Sequence, residues 1–130
     1  MRLIVDTNRI IAALIKDSYS RKIIIHLNAQ LCTVKFSENE ILKYKLDILH
    51  KANINELEFN LILEKLKSYI VYLDDKLLDT RMLEAKKIMD KIDPKDTVFI
   101  AAALVTGSDI WSDDLHFQKQ NRIKIWKTSD

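Results

Sequence analysis

The chain opens on a short, unbroken apolar run, Leu3-Ile4-Val5, that stops at the polar triplet Asp6-Thr7-Asn8. A run without polar alternation suits a strand buried on both faces, as in parallel sheets covered by helices. Beyond Asn8 the chain alternates between such runs and stretches with helical spacing. Ile10 to Ile15 is helix-compatible, and Ser18 to Asn28 predicts a helix with Ile23, Ile24 and Leu27 inward. Leu31 to Val34 predicts the second strand. Ser37-Glu38-Asn39-Glu40 has the pattern of a capping box, opening a long helix through Ile41, Leu42, Lys45 and Leu49. Asn53-Ile54-Asn55-Glu56 is a break. Glu56 to Lys67 then carries Leu57, Leu61, Ile62 and Leu66 at helical spacing and forms a hairpin with the preceding helix. Tyr69 to Leu73, β-branched and aromatic, is the third strand. Asp79 to Ile92 reads as a helix, and Asp93-Pro94-Lys95-Asp96 opens another that carries Phe99, Ile100, Ala103 and Leu104 and closes at Gly107. Ile110 to Ser112 is the fourth strand, Asp113 to Lys119 a short helix, and Ile123 to Trp126 an edge strand. Strands alternating with helices predict a three-layer α/β domain around a parallel sheet of four to five strands, with residues 1–130 as a single domain.

Composition changes this picture little. The 130 residues are 48% hydrophobic and 31% charged, with one Gly and one Pro, so long irregular linkers are not expected. A net charge of +2 is too mild to mark a nucleic-acid binder by bulk electrostatics, so any such surface must be local. The single Cys32 has no partner for an internal disulfide and reads as a buried core thiol in a reducing compartment. No secretory pattern follows Met1-Arg2, and no apolar run nears the roughly 20 residues of a membrane span. A cytoplasmic protein without a membrane role is the expectation.

The acids carry the candidate chemistry. Asp6 ends the first strand, Glu40 lies in the helix after the second, Asp96 lies in the first turn of a helix, and Asp114 follows the fourth strand. Ligands of open α/β sheets bind beyond the carboxyl ends of the strands, where these four would gather. Four carboxylates in one partly buried crevice repel one another unless cations occupy it. Hard oxygen donors select Mg²⁺ or Mn²⁺, one or two ions, over zinc. Each acid except Asp6 also suits a helix start: Ser37 with Glu40, Asp93 with Asp96 and Ser112 with Asp114 all have the look of cap pairs. An aspartyl phosphatase or phosphotransferase would want a second acid two residues after Asp6, where this chain has Asn8.

Four segments in order carry a family resemblance. Ile4-Val5-Asp6-Thr7-Asn8, Phe36-Ser37-Glu38-Asn39-Glu40-Ile41, Ile92-Asp93-Pro94-Lys95-Asp96-Thr97 and Ile110-Trp111-Ser112-Asp113-Asp114, with Phe117 beyond, are together similar to the motifs of the PIN domain, a small metal-dependent nuclease fold that includes VapC-type toxins. The resemblance runs the whole chain. It implies that Asp6, Glu40, Asp96 and Asp114 are the metal-site and catalytic acids, with Asp93 as the cap of its helix and Asp113 at a variable position. It implies an Mg²⁺- or Mn²⁺-dependent endoribonuclease cutting RNA phosphodiester bonds to leave a 5′ phosphate, the toxin of a VapBC-type pair. It also implies an antitoxin protein and a homodimer as partners, both through the helical hairpin. The rival reading is a catalytically idle PIN module that binds RNA or a protein partner.

Thr7, Asn8 and Ser112 are polar neighbours able to orient a carboxylate, or plain turn residues. Arg9 and Lys43, with Lys45, Lys95 and Lys119, lie close enough in sequence to the acids to draw a phosphate backbone inward. His26, His50 and His116 share no spacing and read as solvent-facing or core residues. Trp111 reads as core and Trp126 as cover for a sheet edge.

Overall fold

A computed structural model describes residues 1–15 and 19–130. Among the described residues the chain forms five strands, β1 (Arg2–Val5), β2 (Gln30–Val34), β3 (Ile70–Leu73), β4 (Asp109–Trp111) and β5 (Ile125–Trp126). They make one sheet, in the order β3-β2-β1-β4-β5, with every pairing parallel. The chain thus builds outward from β1 to β3, then returns to the other side of β1 for β4. That reversal opens a crevice beyond the carboxyl ends of β1 and β4.

Helices cover both faces. Leu3 and Val5 of β1 pack with Ile10, Leu14, Ile41, Ile48 and Phe59, from α1 (Thr7–Leu14), α3 (Phe36–Lys43), α4 (Lys45–Ala52) and α5 (Glu56–Lys67). Ile24 of α2 (Tyr19–His26) joins this face; the predicted helix start at Ser18 lies outside the described residues. Between them, Ile4 points the other way, to Ala85 and Met89 of α7 (Met82–Met89), Leu78 of α6 (Asp75–Asp79) and the apolar run of α8 (Thr97–Thr106). This alternation of neighbours along β1 makes the domain three layers. Phe117 is fully buried against α8, its ring 6.3 Å from Phe99 and edge-on to it. Gly107 closes α8 at φ +65°, a left-handed position that a side chain would strain.

Several expected elements divide or shift. The long helix from Ser37 is two, α3 and α4, parted at Tyr44. The helix expected over Asp79 to Ile92 is the shorter α7, and a separate short helix, α6, precedes it and ends at Asp79. Ser37 does not cap: the helix starts one residue earlier, and the Ser37 hydroxyl turns to the sheet, 2.8 Å from Thr7 Oγ1 and 3.0 Å from Thr33 Oγ1. Within α5, Phe59 and Leu66 are buried while Leu57 and Leu61 are exposed. The capping box lies at Asn55 instead, whose side chain accepts from Glu58 N at 2.8 Å while Glu58 accepts from Asn55 N. Losing such a cap costs typically about 1 kcal/mol. Asn55→Ala should therefore lower the melting temperature by a few degrees, measured by circular dichroism, with no effect at the crevice.

Candidate active site

Asp6 is the first residue past β1, and its amide still bonds the Trp111 carbonyl at 3.2 Å. That ties the end of β1 to the end of β4 and sets Asp6 beside Ser112. Ser112 donates its hydroxyl to Asp6 Oδ2 at 2.7 Å and accepts from the Asp114 amide at 3.0 Å. One buried serine therefore fixes two of the four acids. A second hydroxyl does the same across the crevice: Thr7, at the start of α1, donates to Glu40 Oε1 at 2.6 Å. Asn8 is exposed at its side chain, and it is its backbone amide that stabilises the Asp6 carboxylate.

Asp96 comes from a different element. Asp93 caps the 3₁₀ turn Pro94–Asp96, accepting from Lys95 N at 3.0 Å, and the turn delivers Asp96 to the amino end of α8. Although it occupies a capping position, Asp96 makes no capping bond, and its Oδ2 is buried without a hydrogen-bond partner among the described residues. Asp114 does cap, accepting from His116 N at 2.8 Å at the head of the 3₁₀ segment Leu115–Lys119. Glu40 caps nothing that the structure shows. The cap reading thus accounts for Asp93 and Asp114 and leaves Asp6, Glu40 and Asp96 unexplained as structural acids.

Electrostatics binds the four into one group. Burial raises the Asp6 carboxyl above its ordinary value, helped by the Asp114 and Glu40 charges and opposed by Ser112 and the Asn8 amide. Burial, then Asp114, Asp93 and Asp6 in turn, push Asp96 up to about 7, with His116 pulling the other way. Asp96 is only 9% exposed. A buried carboxylate held among like charges with one oxygen unpartnered is the arrangement that a divalent cation resolves, and an all-carboxylate set suits Mg²⁺ or Mn²⁺. The residues present fit such an ion.

His116 belongs to this site, although its position in the sequence suggested solvent or core. Its Nδ1 lies 2.9 Å from Asp93 Oδ2, 3.6 Å from Asp114 Oδ1 and 3.7 Å from Asp96 Oδ2. Donor atoms of Asp93, Asp96 and His116 are close enough together to share an ion. Asp113, in contrast, points elsewhere. It accepts from Thr128 N at 2.7 Å and Thr128 Oγ1 at 2.6 Å, and pairs with Arg9 Nη1 at 2.8 Å. Those bonds hold the Asp113 carboxyl below its usual range and commit Arg9, expected to face phosphate, to holding segment 127–130. Lys45 is likewise committed to Glu56 at 2.5 Å. Lys43 is exposed, above the Tyr44 ring. Cys32 is a buried thiol pushed up by desolvation, as expected of a core residue. Among the described residues, no helix is long and apolar enough to cross a membrane.

Comparison with known proteins gives two matches of different kinds. Residues 4–130 match the family described as the PIN domain. The fold is similar to a chain in the crystal structure of VapBC2 from Rickettsia felis bound to a DNA fragment from their promoter, with a TM-score of 0.71 over 98% of each chain at 16% identity. No curated protein matches.

Proposed function

The chain belongs to the PIN domain family, and from that premise we propose that it is an Mg²⁺- or Mn²⁺-dependent endoribonuclease, the toxin of a VapBC-type pair, with residues 1–130 as one PIN-like domain. The observation that carries the reading is Asp96: a buried carboxylate under the charges of Asp114, Asp93 and Asp6, with an unpartnered oxygen and a carboxyl pushed up to about 7. An idle module has no physical reason to maintain that repulsion.

Each residue has a task in this reading. Asp6, Glu40, Asp96 and Asp114 hold one or two ions. Ser112 holds the Asp6 carboxylate in place, and Thr7 does so for Glu40. The exposed side of the crevice, where Glu40 and Asp114 are half-buried, admits the phosphodiester. When bound, the ion supplies Lewis-acid charge for the scissile phosphate and an activated water as nucleophile. Fixing the acids before the substrate arrives spares that ordering at the moment of reaction. The product would carry a 5′ phosphate.

An antitoxin protein is the implied partner, because Leu42, Leu46, Leu57 and Leu61 stand exposed on α3 to α5 and the structural neighbour is a VapBC complex. The same apolar positions would serve a second copy of the chain. A toxin that cuts RNA would act in the cytoplasm.

The test is thermal unfolding and RNA cleavage in EDTA, Mg²⁺ and Mn²⁺, for the natural chain and Asp6→Asn. An ion at 100 times its dissociation constant adds about 2.7 kcal/mol, a shift of several degrees for a domain this size. The natural chain should show both the shift and cleavage, and Asp6→Asn should lose most of each. Cleavage that persists in EDTA, or no metal shift at all, would sink the proposal.

A further inference from the structure

A strongly acidic site repels its polyanionic substrate, so cations beside it must offset that repulsion. Arg9 and Lys45 are committed to Asp113 and Glu56. A groove of about 450 Å³ lies between α7 and segment 118–122, lined by Lys87, Lys91, Lys119 and Arg122, with Ile88 and Ile92 also in its lining. Along the chain its walls lead to Asp93, the residue after Ile92, and to His116, two residues before Gln118, and these two meet at 2.9 Å in the acidic site. Toward the other end of α7, Arg122 pairs with Glu84. Lys87, Lys91 and Lys119 are exposed and have no ion-pair partner among the described residues. Asp90, the residue just past α7, is turned to Thr97, from whose hydroxyl it accepts a bond at 2.6 Å. The opposite wall is preformed: the Gln120 side chain donates to the Phe117 and Ile123 carbonyls at 2.9 and 2.8 Å and accepts from the Arg122 and Ile123 amides.

We infer that this groove carries the phosphate backbone of a single-stranded RNA to the acidic site, entering past Lys87 and Lys91 and reaching the acids beside Asp93 and His116. The inference rests on the ribonuclease reading above. The lysines would neutralise successive phosphates, while Ile88 and Ile92 suit the apolar faces of sugars and bases.

The test measures binding of a short, labelled, phosphorothioate-linked RNA, which resists hydrolysis, by fluorescence anisotropy in Mg²⁺ across a salt series. Three single-strand phosphate contacts contribute about two to the slope of log affinity against log salt, or roughly a hundredfold in affinity at 0.1 M salt. Combined Lys87→Gln, Lys91→Gln and Lys119→Gln should cause that loss while leaving the Mg²⁺ thermal shift intact. A control with equal charge change on other surfaces, Lys22→Gln, Lys65→Gln and Lys76→Gln, should bind nearly as the natural chain does. Equal loss in both variants, or an unchanged slope in the groove variant, overturns the track and leaves the ribonuclease reading standing. A natural chain that neither binds nor cleaves RNA overturns both.

Discussion

Asp96→Asn is expected to cut metal-dependent RNA cleavage by at least a hundredfold and, in the same protein, to raise the melting temperature of the metal-free form at pH 8. The two effects have one origin. Burial and the charges of Asp114, Asp93 and Asp6 make the ionised Asp96 expensive in the empty fold, to the extent that its carboxyl titrates near 7 where 3.8 is ordinary. At roughly 1.4 kcal/mol for each tenfold change in proton affinity, keeping it ionised costs on the order of 4 kcal/mol. An uncharged amide of the same shape escapes that cost, and it gains donors for the carboxylates around it. The same exchange removes the unpartnered oxygen from the ion's coordination. Outer-sphere partners of metal ligands are themselves worth about 10- to 100-fold, and a direct ligand should exceed them. Asp93→Asn is the companion measurement. Its carboxyl caps the Pro94–Asp96 turn, a bond that Asn can also make, so cleavage should stay within about tenfold of the natural chain. If Asp93→Asn abolishes cleavage and Asp96→Asn does not, then Asp93 is the ligand and Asp96 the dispensable acid. A variant Asp96→Asn less stable than the natural chain in EDTA at pH 8 would show that the repulsion is not there.

How much of the fold was legible in the sequence differs from element to element. The strands were, because Leu3-Ile4-Val5 and Leu31 to Val34 are apolar on both faces and only a doubly covered sheet hides both. Helix divisions were not: Tyr44 parts α3 from α4 at φ −100° and ψ 11° with no Gly or Pro to announce it. Periodicity placed α5 at its observed bounds, yet of the apolar residues at helical spacing Leu66 is buried while Leu57 and Leu61 are exposed. Apolar residues occur around much of that helix, and spacing alone does not say which side its own chain covers. Ser37 shows the same limit for polar groups. A hydroxyl near a helix start reads as a cap, but its partners are Thr7 and Thr33, brought together by the pairing of β1 with β2.

Site residues divide by how far away their partners lie. Asp6, Asp96 and Asp114 sit at the edges of elements whose direction in the sheet was readable, which is why they were expected to meet; Glu40 lies within α3, where the expected helix start at Ser37 had put it in the first turn. His116 could not be picked out, since Asp93 and Asp96 reach it only after α8 and β4 have folded between them. The one local signal was its spacing of two from Asp114, which lets the Asp114 carboxylate take the His116 amide and fix where the ring can go. Arg9 has partners that lie far away in the sequence too. A cation three residues from Asp6 looks like a phosphate contact, but Asp113 and Thr128 converge on it from β4 and the end of the chain.

The metal-free protein should lose stability as pH rises from about 4 to about 7, against the usual trend for carboxylate-rich domains. Asp96 titrates near 7 in the fold and near 3.8 when unfolded, so across that window the folded chain holds a proton that the unfolded chain has released. Stability falls with pH wherever the folded state binds more protons, and the contribution is gone once pH passes the folded value. Asp6, raised in the same direction, adds to the slope. Asp113 acts oppositely: its depressed carboxyl contributes stability above its ordinary range, lost only as pH falls through its folded value, which lies below this window. Between pH 5 and pH 8 only the part of the Asp96 difference lying above pH 5 is released, on the order of 3 kcal/mol, which corresponds to about ten degrees of melting temperature for a domain of this size. Melting curves in EDTA at pH 5 and pH 8 should differ by about that much, the lower pH being the more stable. Saturating Mg²⁺ or Mn²⁺ should flatten or reverse the slope, because the ion binds the ionised carboxylates, and Asp96→Asn should flatten it without metal. A melting temperature in EDTA that climbs steadily to pH 8 would mean that Asp96 is already ionised in the empty fold. The four acids would then be no more than neighbours, and the case for an ion between them would lose its physical ground.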